Sequence, residues 1–120
     1  MEQGPGSRVT GSVLMVQKAK EYIEEHCREK FSLKKMSGEL YVNGSYLLRI
    51  FRKHTGYTLL AYHNHVRCEK AKELLRRPDV SISDVGETVG FVSSSHFSHV
   101  FRKTEGCTPS EYRLRFLPEG

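Results

Sequence analysis

A helical spacing that occurs twice constrains this chain more than any other feature of it. The first copy is Leu33-x-x-Met36-x-x-x-Leu40, then Asn43-x-x-x-Leu47-x-x-x-Phe51-Arg52-Lys53-x-x-Gly56. The second is Ile82-x-x-Val85-x-x-x-Val89-Gly90-Phe91, then Ser93-x-x-x-Phe97-x-x-x-Phe101-Arg102-Lys103-x-x-Gly106. Apolar steps of three and four mark one face of a helix, so each copy reads as two short helices joined by a tight turn. Leu33, Met36 and Leu40 match Ile82, Val85 and Val89 at a shift of 49. Asn43, Leu47, Phe51, Gly56, Thr58 and Tyr62 match Ser93, Phe97, Phe101, Gly106, Thr108 and Tyr112 at a shift of 50. The additional residue of the second copy therefore falls in its turn, around Gly90 to Val92, where insertions are tolerated.

The remaining chain reads as helix too. Val13, Val16, Ala19, Ile23 and Cys27 form one apolar face, with Ser12 as the expected N-cap. Ser32, Asn43, Ser81 and Ser93 precede the four helices of the repeat, and Thr58 caps a longer central helix running to Leu75. Leu59, Tyr62, Val66, Ala71, Leu74 and Leu75 are its expected inward set, and Pro78 follows its end. Thr108-Pro109-Ser110-Glu111 combines a capping box with Pro at the first helical position; the helix it opens carries Tyr112 inward and frays after Phe116. The expectation is an all-α fold of seven helices, with two helix-turn-helix subdomains joined by a long central helix. Subdomain one spans about 12–57, the linker helix about 58–75 and subdomain two about 81–117. Residues 1–11, with Gly4-Pro5-Gly6-Ser7, read as a flexible linker or an expression scar and stand outside the fold argument.

Composition narrows the function. The 120 residues carry a net charge of +5, which favours an anionic partner. No apolar run approaches the roughly 20 residues that span a bilayer, and no secretory h-region is present, so the expected location is the cytoplasm and no membrane partner is expected. Cys27, Cys68 and Cys107 are odd in number and widely spaced, which suits reduced, buried thiols rather than a disulfide framework or a zinc site. His96 and His99 stand three apart, but no third ligand is near in sequence, so no metal and no cofactor is expected. There is no Gly-rich phosphate loop and no evident pair of nucleophile and base, which argues against an enzyme.

Each second helix of the repeat, 44–55 and 94–104, contains no acidic residue before the basic pair near its end. That suits a recognition helix in a major groove of double-stranded DNA, and two such units suggest two successive grooves. Leu47, Ile50 and Phe51 point inward in the first, leaving Ser45, Leu48 and Arg49 to reach bases. Arg49 has the fork that takes guanine O6 and N7 together; the alternatives are a phosphate or a salt bridge to Glu39. Leu48 suits a thymine methyl, and Ser45 a base or a phosphate. In the second, Phe97, Val100 and Phe101 point inward, leaving Ser94, Ser95, Ser98 and His99 as shorter, less discriminating readers. Arg52, Lys53, Arg102 and Lys103 are the expected phosphate anchors, against the alternative of a solvated charged face. Arg67, Glu69, Lys70 and Glu73 are spaced for local ion pairs, and Arg67 suits a brace between the subdomains better than a DNA contact.

The motifs Ser45-Tyr46-Leu47-x-Arg49-x-Phe51-Arg52-Lys53, Arg67-x-Glu69-Lys70-Ala71-Lys72-Glu73-Leu74-Leu75, Ile82-Ser83-Asp84-Val85, Val89-Gly90-Phe91, Phe97-Ser98-x-Val100-Phe101-Arg102-Lys103 and Gly106-x-Thr108-Pro109-Ser110-Glu111-Tyr112-Arg113 follow in this order. From about Lys18 to Phe116 the chain resembles the C-terminal DNA-binding domain of the AraC/XylS family of bacterial transcription regulators. The resemblance implies a transcription factor that binds promoter or operator DNA with both recognition helices in adjacent major grooves on one face. It also implies a parent protein with an N-terminal sensor or receiver domain, although some relatives work as the bare domain, and contact with RNA polymerase. His99 stands where the family often has Arg, and contact with a phosphate rather than a base fits it equally well. Small residues, Ser37 and Gly86, replace the usual Ala. Tyr41 replaces a turn glycine, which implies a bulky residue at positive φ. His63 replaces an apolar residue and is expected to be partly exposed, since burial would demand a hydrogen-bond partner. Some DNA-repair methyltransferases carry a similar segment beside a reactive cysteine, but nothing here resembles that catalytic part. A plain protein-interaction bundle would not need two acid-free basic helices at matched positions.

Overall fold

The computed structural model describes residues 10–116; residues 1–9 of the expected linker or scar lie outside the described residues. Seven helices and no strand occur among the described residues: α1 (Gly11–His26), α2 (Leu33–Glu39), α3 (Gly44–Thr55), α4 (Leu59–Leu75), α5 (Ile82–Thr88), α6 (Ser94–Glu105) and α7 (Pro109–Leu114). Every one begins on a side-chain cap: Thr10, Ser32, Asn43, Thr58, Ser81, Ser93 and Thr108 each accept a bond from the backbone N–H three residues on. Each such cap contributes about 1 kcal/mol, which matters for α2, α5 and α7, at most seven residues long. The cap of α1 is Thr10 rather than Ser12, so the helix starts two residues earlier than expected and takes in Thr10 and Gly11 from the expected linker. Ser12 instead lies 3.2 Å from the His54 ring, tying α1 to the end of α3. Val13, expected inward, is exposed.

The apolar faces close into two cores. The first joins Val16, Ala19, Ile23, Cys27, Met36, Leu47, Ile50, Phe51, Leu59 and Val66. The second joins Cys68, Ala71, Leu75, Val85, Val89, Phe91, Phe97, Phe101 and Cys107. Helix α4 feeds both: its first half packs on α1 and α3, its second on α5, α6 and α7. At 17 residues and 1.5 Å rise it is roughly 26 Å long.

The repeat holds at the level of single hydrogen bonds. In the turns, the N–H groups of Leu40, Tyr41 and Val42 bond the carbonyls of Met36, Gly38 and Ser37, and those of Val89, Gly90 and Phe91 bond Val85, Glu87 and Gly86. The inserted residue is therefore Val92, which is 90% exposed. The core partners differ in size. A Cβ on Gly86 would stand 2.7–2.9 Å from the ring and Cβ of Phe97, whereas unit one has Ser37 and the smaller Leu47 at the matched positions. Unit two trades bulk on α5 for bulk on α6.

A second difference concerns the helix ends. Arg113 on α7 donates from Nε to Leu75 O (2.9 Å) and from Nη2 to Arg77 O (3.0 Å), closing the C-terminus of α4. The matched residue of unit one, 50 positions earlier, is His63. Contrary to expectation it is buried, at 4% exposure, edge-on to Phe31. Its Nε2 has no hydrogen-bond partner. A neutral imidazole leaves one ring nitrogen as acceptor only, so burial costs less than it would for a cation. Arg67, one turn further along α4, closes the end of α1 instead. Its Nε donates to Cys27 O (2.6 Å) and its Nη2 to Glu29 O (2.9 Å). Of the residues expected in local ion pairs on α4, Glu69 makes one, with Lys72 three residues on, whereas Lys70 Nζ donates to the distant Glu24 O.

Two outcomes test this packing. Ala is a better helix former than Gly by about 1 kcal/mol, yet Gly86→Ala should destabilise the domain by about 1–3 kcal/mol through the collision with Phe97. Adding Phe97→Leu should give a double variant at least about 1 kcal/mol more stable than the two single effects sum to in urea unfolding. Additive losses would show the two sites to be uncoupled.

Burial, and then the charge of Arg67, pull the pKa of His63 down from 6.5 to about 4. The folded state thus resists a proton that the unfolded chain accepts. The contribution is complete above pH 6.5 and is lost as pH falls towards 4, by on the order of 3 kcal/mol. The lowered pKa values of Glu29, Asp79 and Glu111 place their losses at more acidic pH. His63→Leu should flatten the pH dependence of stability between 6.5 and 4.5; an unchanged slope would clear His63 of that role.

Candidate nucleic-acid interface

Helices α3 and α6 display their expected outward faces. Ser45, Leu48 and Arg49 are exposed on α3, as are Ser94, Ser95 and His99 on α6, while Ser98 is half-buried. Arg52, Lys53, Arg102 and Lys103 are all exposed near the helix ends, where positive charge also suits the helix dipole. Neither helix has an acidic residue in its first turn. No ion pair joins Arg49 to Glu39 among the described residues; the guanidinium lies 5.2 Å above the Tyr46 ring. An aromatic three residues before an arginine on one helix face supplies that contact, a signal present in the sequence and not used.

The structure brings the α6 residues against α4. His99 and Lys103 line an open cleft with Tyr57, Leu60, Ala61, Asn64 and His65. Across Leu60 and Asn64 a second hollow includes Lys30, Val92 and His96. The cleft residues Leu60, Ala61 and Asn64 of α4 stand at steps of four and three on a helical stripe away from the inward set, and Tyr57 adds to it from the turn before the helix. No group of three or more His, Cys, Asp or Glu that could hold a metal ion occurs among the described residues. Cys27, Cys68 and Cys107 are free thiols, all buried, and burial pushes Cys68 up to about 11. No helix of the described residues is long and apolar enough to cross a membrane.

Arg67 fixes how the two faces sit relative to one another. It is 6% exposed, and besides its two carbonyl acceptors in unit one its guanidinium lies 5.1 Å from the ring of Phe91 in unit two. Gly90 adds to the same joint: at φ +109 its Cα approaches the backbone of Arg28 so closely that a Cβ would stand 2.6 Å from the Arg28 carbonyl oxygen. Only glycine fits both the left-handed backbone and the space.

A family model described as a helix-turn-helix domain matches residues 36–115. The solved transcriptional regulator from Chromobacterium violaceum, described as AraC-type, superposes with a TM-score of 0.82 at 28% identity, over 92% of this chain and 98% of that one. This chain belongs to the AraC/XylS family. The HTH-type transcriptional regulator YisR of Bacillus subtilis, itself uncharacterized, is 36% identical over 95 residues, 79% of this chain and 33% of that protein. The DNA-binding domain of the global transcriptional factor AdpA, solved in complex with a target DNA, has a TM-score of 0.76 at 27% identity, over 84% of this chain and 91% of that one. The AraC-type domain described here thus spans about a third of the length of the curated relatives it matches, and it is a DNA-binding transcription-regulatory module of the helix-turn-helix kind.

Within this AraC-type domain the joint at Arg67 should be indispensable. Arg67→Met leaves two carbonyls without a donor, and each such loss costs about 1–3 kcal/mol. Lysine cannot reproduce the fork, so Arg67→Lys should rescue little. Hydrogen exchange should then show the two cores opening separately; coincident protection in both variants would show that the joint lies elsewhere.

Proposed function

We propose that this domain binds one promoter or operator site by placing α3 and α6 in two successive major grooves on one face of the duplex. The observation that carries the reading is the pair of matched helices, each free of acidic residues up to the basic pair near its end, with Glu105 at the end of α6 turned to Lys72 of α4, and held in one relative orientation by Arg67 and α4. Successive major-groove openings lie roughly 34 Å apart, and a rod of about 26 Å with a recognition unit at each end is of the order needed to bridge them. Arg49 is assigned to a guanine, Leu48 to a thymine methyl, and Ser45, Ser94, Ser95, Ser98 and His99 to bases of lower discrimination. Arg52, Lys53, Arg102 and Lys103 anchor phosphates. AdpA's target DNA supports duplex DNA as the ligand, and the names of the relatives support regulation rather than catalysis. Subdomains of about 12–57 and 81–117 are joined in this reading by α4, along which the two cores meet between Val66 and Cys68. In the whole bacterial protein, a sensor or receiver domain and contact with RNA polymerase complete the same reading, with the cytoplasm as the location.

A duplex selected by the chain from a random pool provides the test. Footprinting should protect about two helical turns. Arg49→Ala should cost roughly 1–3 kcal/mol and relax discrimination at one base pair. Lys53→Ala and Lys103→Ala should weaken all duplexes about equally and lower the salt slope by roughly one unit each. Protection of a single groove, with Lys103→Ala silent, would remove α6 from the interface and leave α3 as the reader.

A further inference from the structure

Among the described residues one non-glycine residue has a positive φ: Tyr41, at φ 55. An L-residue with a bulky side chain in the left-handed region is strained, and such strain persists where a function uses it. The fold does not use this side chain. Its neighbours Leu40 and Val42 pack on the first core, whereas Tyr41 is 94% exposed. The matched Gly90 shows what the turn itself requires: a backbone at positive φ with the same pair of hydrogen bonds. Glycine would satisfy unit one equally well and without strain. The tyrosine therefore lowers stability and exposes an aromatic ring for something outside the fold.

Its place narrows what that is. Tyr41 stands two residues before Asn43, the N-cap of α3, exposed in the turn that leads into the helix carrying Ser45, Leu48 and Arg49. In a docked helix-turn-helix the start of that helix enters the groove, while the element before it crosses the sugar–phosphate backbone. A phenol hydroxyl is a neutral donor that bonds phosphate oxygens. We propose that Tyr41 is a DNA-contacting residue whose hydroxyl donates to a backbone phosphate at the edge of the groove read by α3, fixing the register of unit one on the duplex. The inference rests on the DNA reading above.

The test uses the chain itself with a duplex it selects from a random pool. Tyr41→Gly should keep or raise the melting temperature and raise Kd about five- to tenfold, the worth of one net hydrogen bond. Tyr41→Phe should weaken binding to the same extent while keeping the strain. The salt slope should stay put in both, because a neutral donor displaces no counterion. Replacing phosphates one at a time with methylphosphonates should find one position that weakens the wild type and not Tyr41→Phe. A wild type that selects its duplex while both variants bind equally well would overturn this proposal and leave the DNA reading intact. A selective loss in Tyr41→Gly alone would reject the hydroxyl as the contact. A wild type that retains no duplex would overturn both readings.

Discussion

A guanidinium taken out of water must find donors' partners elsewhere, and Arg67 finds them in two different halves of the molecule. Its N–H groups end on the carbonyls of Cys27 and Glu29, its face on the ring of Phe91. Burial lowers its pKa from the ordinary value, a sign of how far from solvent the cation sits. The cost is offset because the acceptors are main-chain carbonyls at the C-cap of α1 and in the turn after it, which need donors in any case. One side chain thus completes a helix terminus in unit one and orients unit two. The close approach of Gly90 to the backbone of Arg28 lies beside the same contact. The bearing of α6 relative to α3 depends on this joint more than on the length of α4.

The two units share a plan and solve it with different atoms. Unit two closes its leading helix with Arg113, at the position matched by His63 in unit one. Had unit one kept an arginine there, nothing would link it to Phe91 through that residue. Moving the cation one turn along α4 leaves position 63 as a buried imidazole with an unpartnered nitrogen, and gains a contact across the molecule. Similarly, Phe97 fills what Leu47 leaves open, and Gly86 accommodates it where Ser37 suffices in unit one. Each unit is internally fitted, so the halves are not interchangeable piece by piece.

Most of the architecture was legible because it is written in short-range signals. Six of the seven helix caps stand out as Ser, Thr or Asn before an apolar period, and the exception, Thr10, lies two residues from the expected Ser12. The position of the inserted residue followed from the change of shift between the repeats, and the positive φ at Tyr41 from the glycine it replaces. Arg67 as a brace was also readable, though not its acceptors, since main-chain carbonyls leave no mark in a sequence. His63 was misjudged for a related reason. Burial of a polar group was weighed against hydrogen bonding alone, whereas a neutral imidazole against Phe31 also behaves as an aromatic. Val13 was misplaced because a step of three from Val16 fits a helical face but does not by itself decide burial, and it is exposed in the first turn of α1. The cleft on α4 joins residues some 40 positions apart, and no local pattern carries it.

Because Arg67 binds main-chain oxygens, the identities of Cys27 and Glu29 are irrelevant to the bond it makes. A charge-swapped pair, the usual escape for a broken ion pair, is closed to it. Position 67 should therefore be held fixed through evolution without a covarying partner in residues 27–29, and residue pairing inferred from aligned sequences would pass over a contact that ties the two halves together.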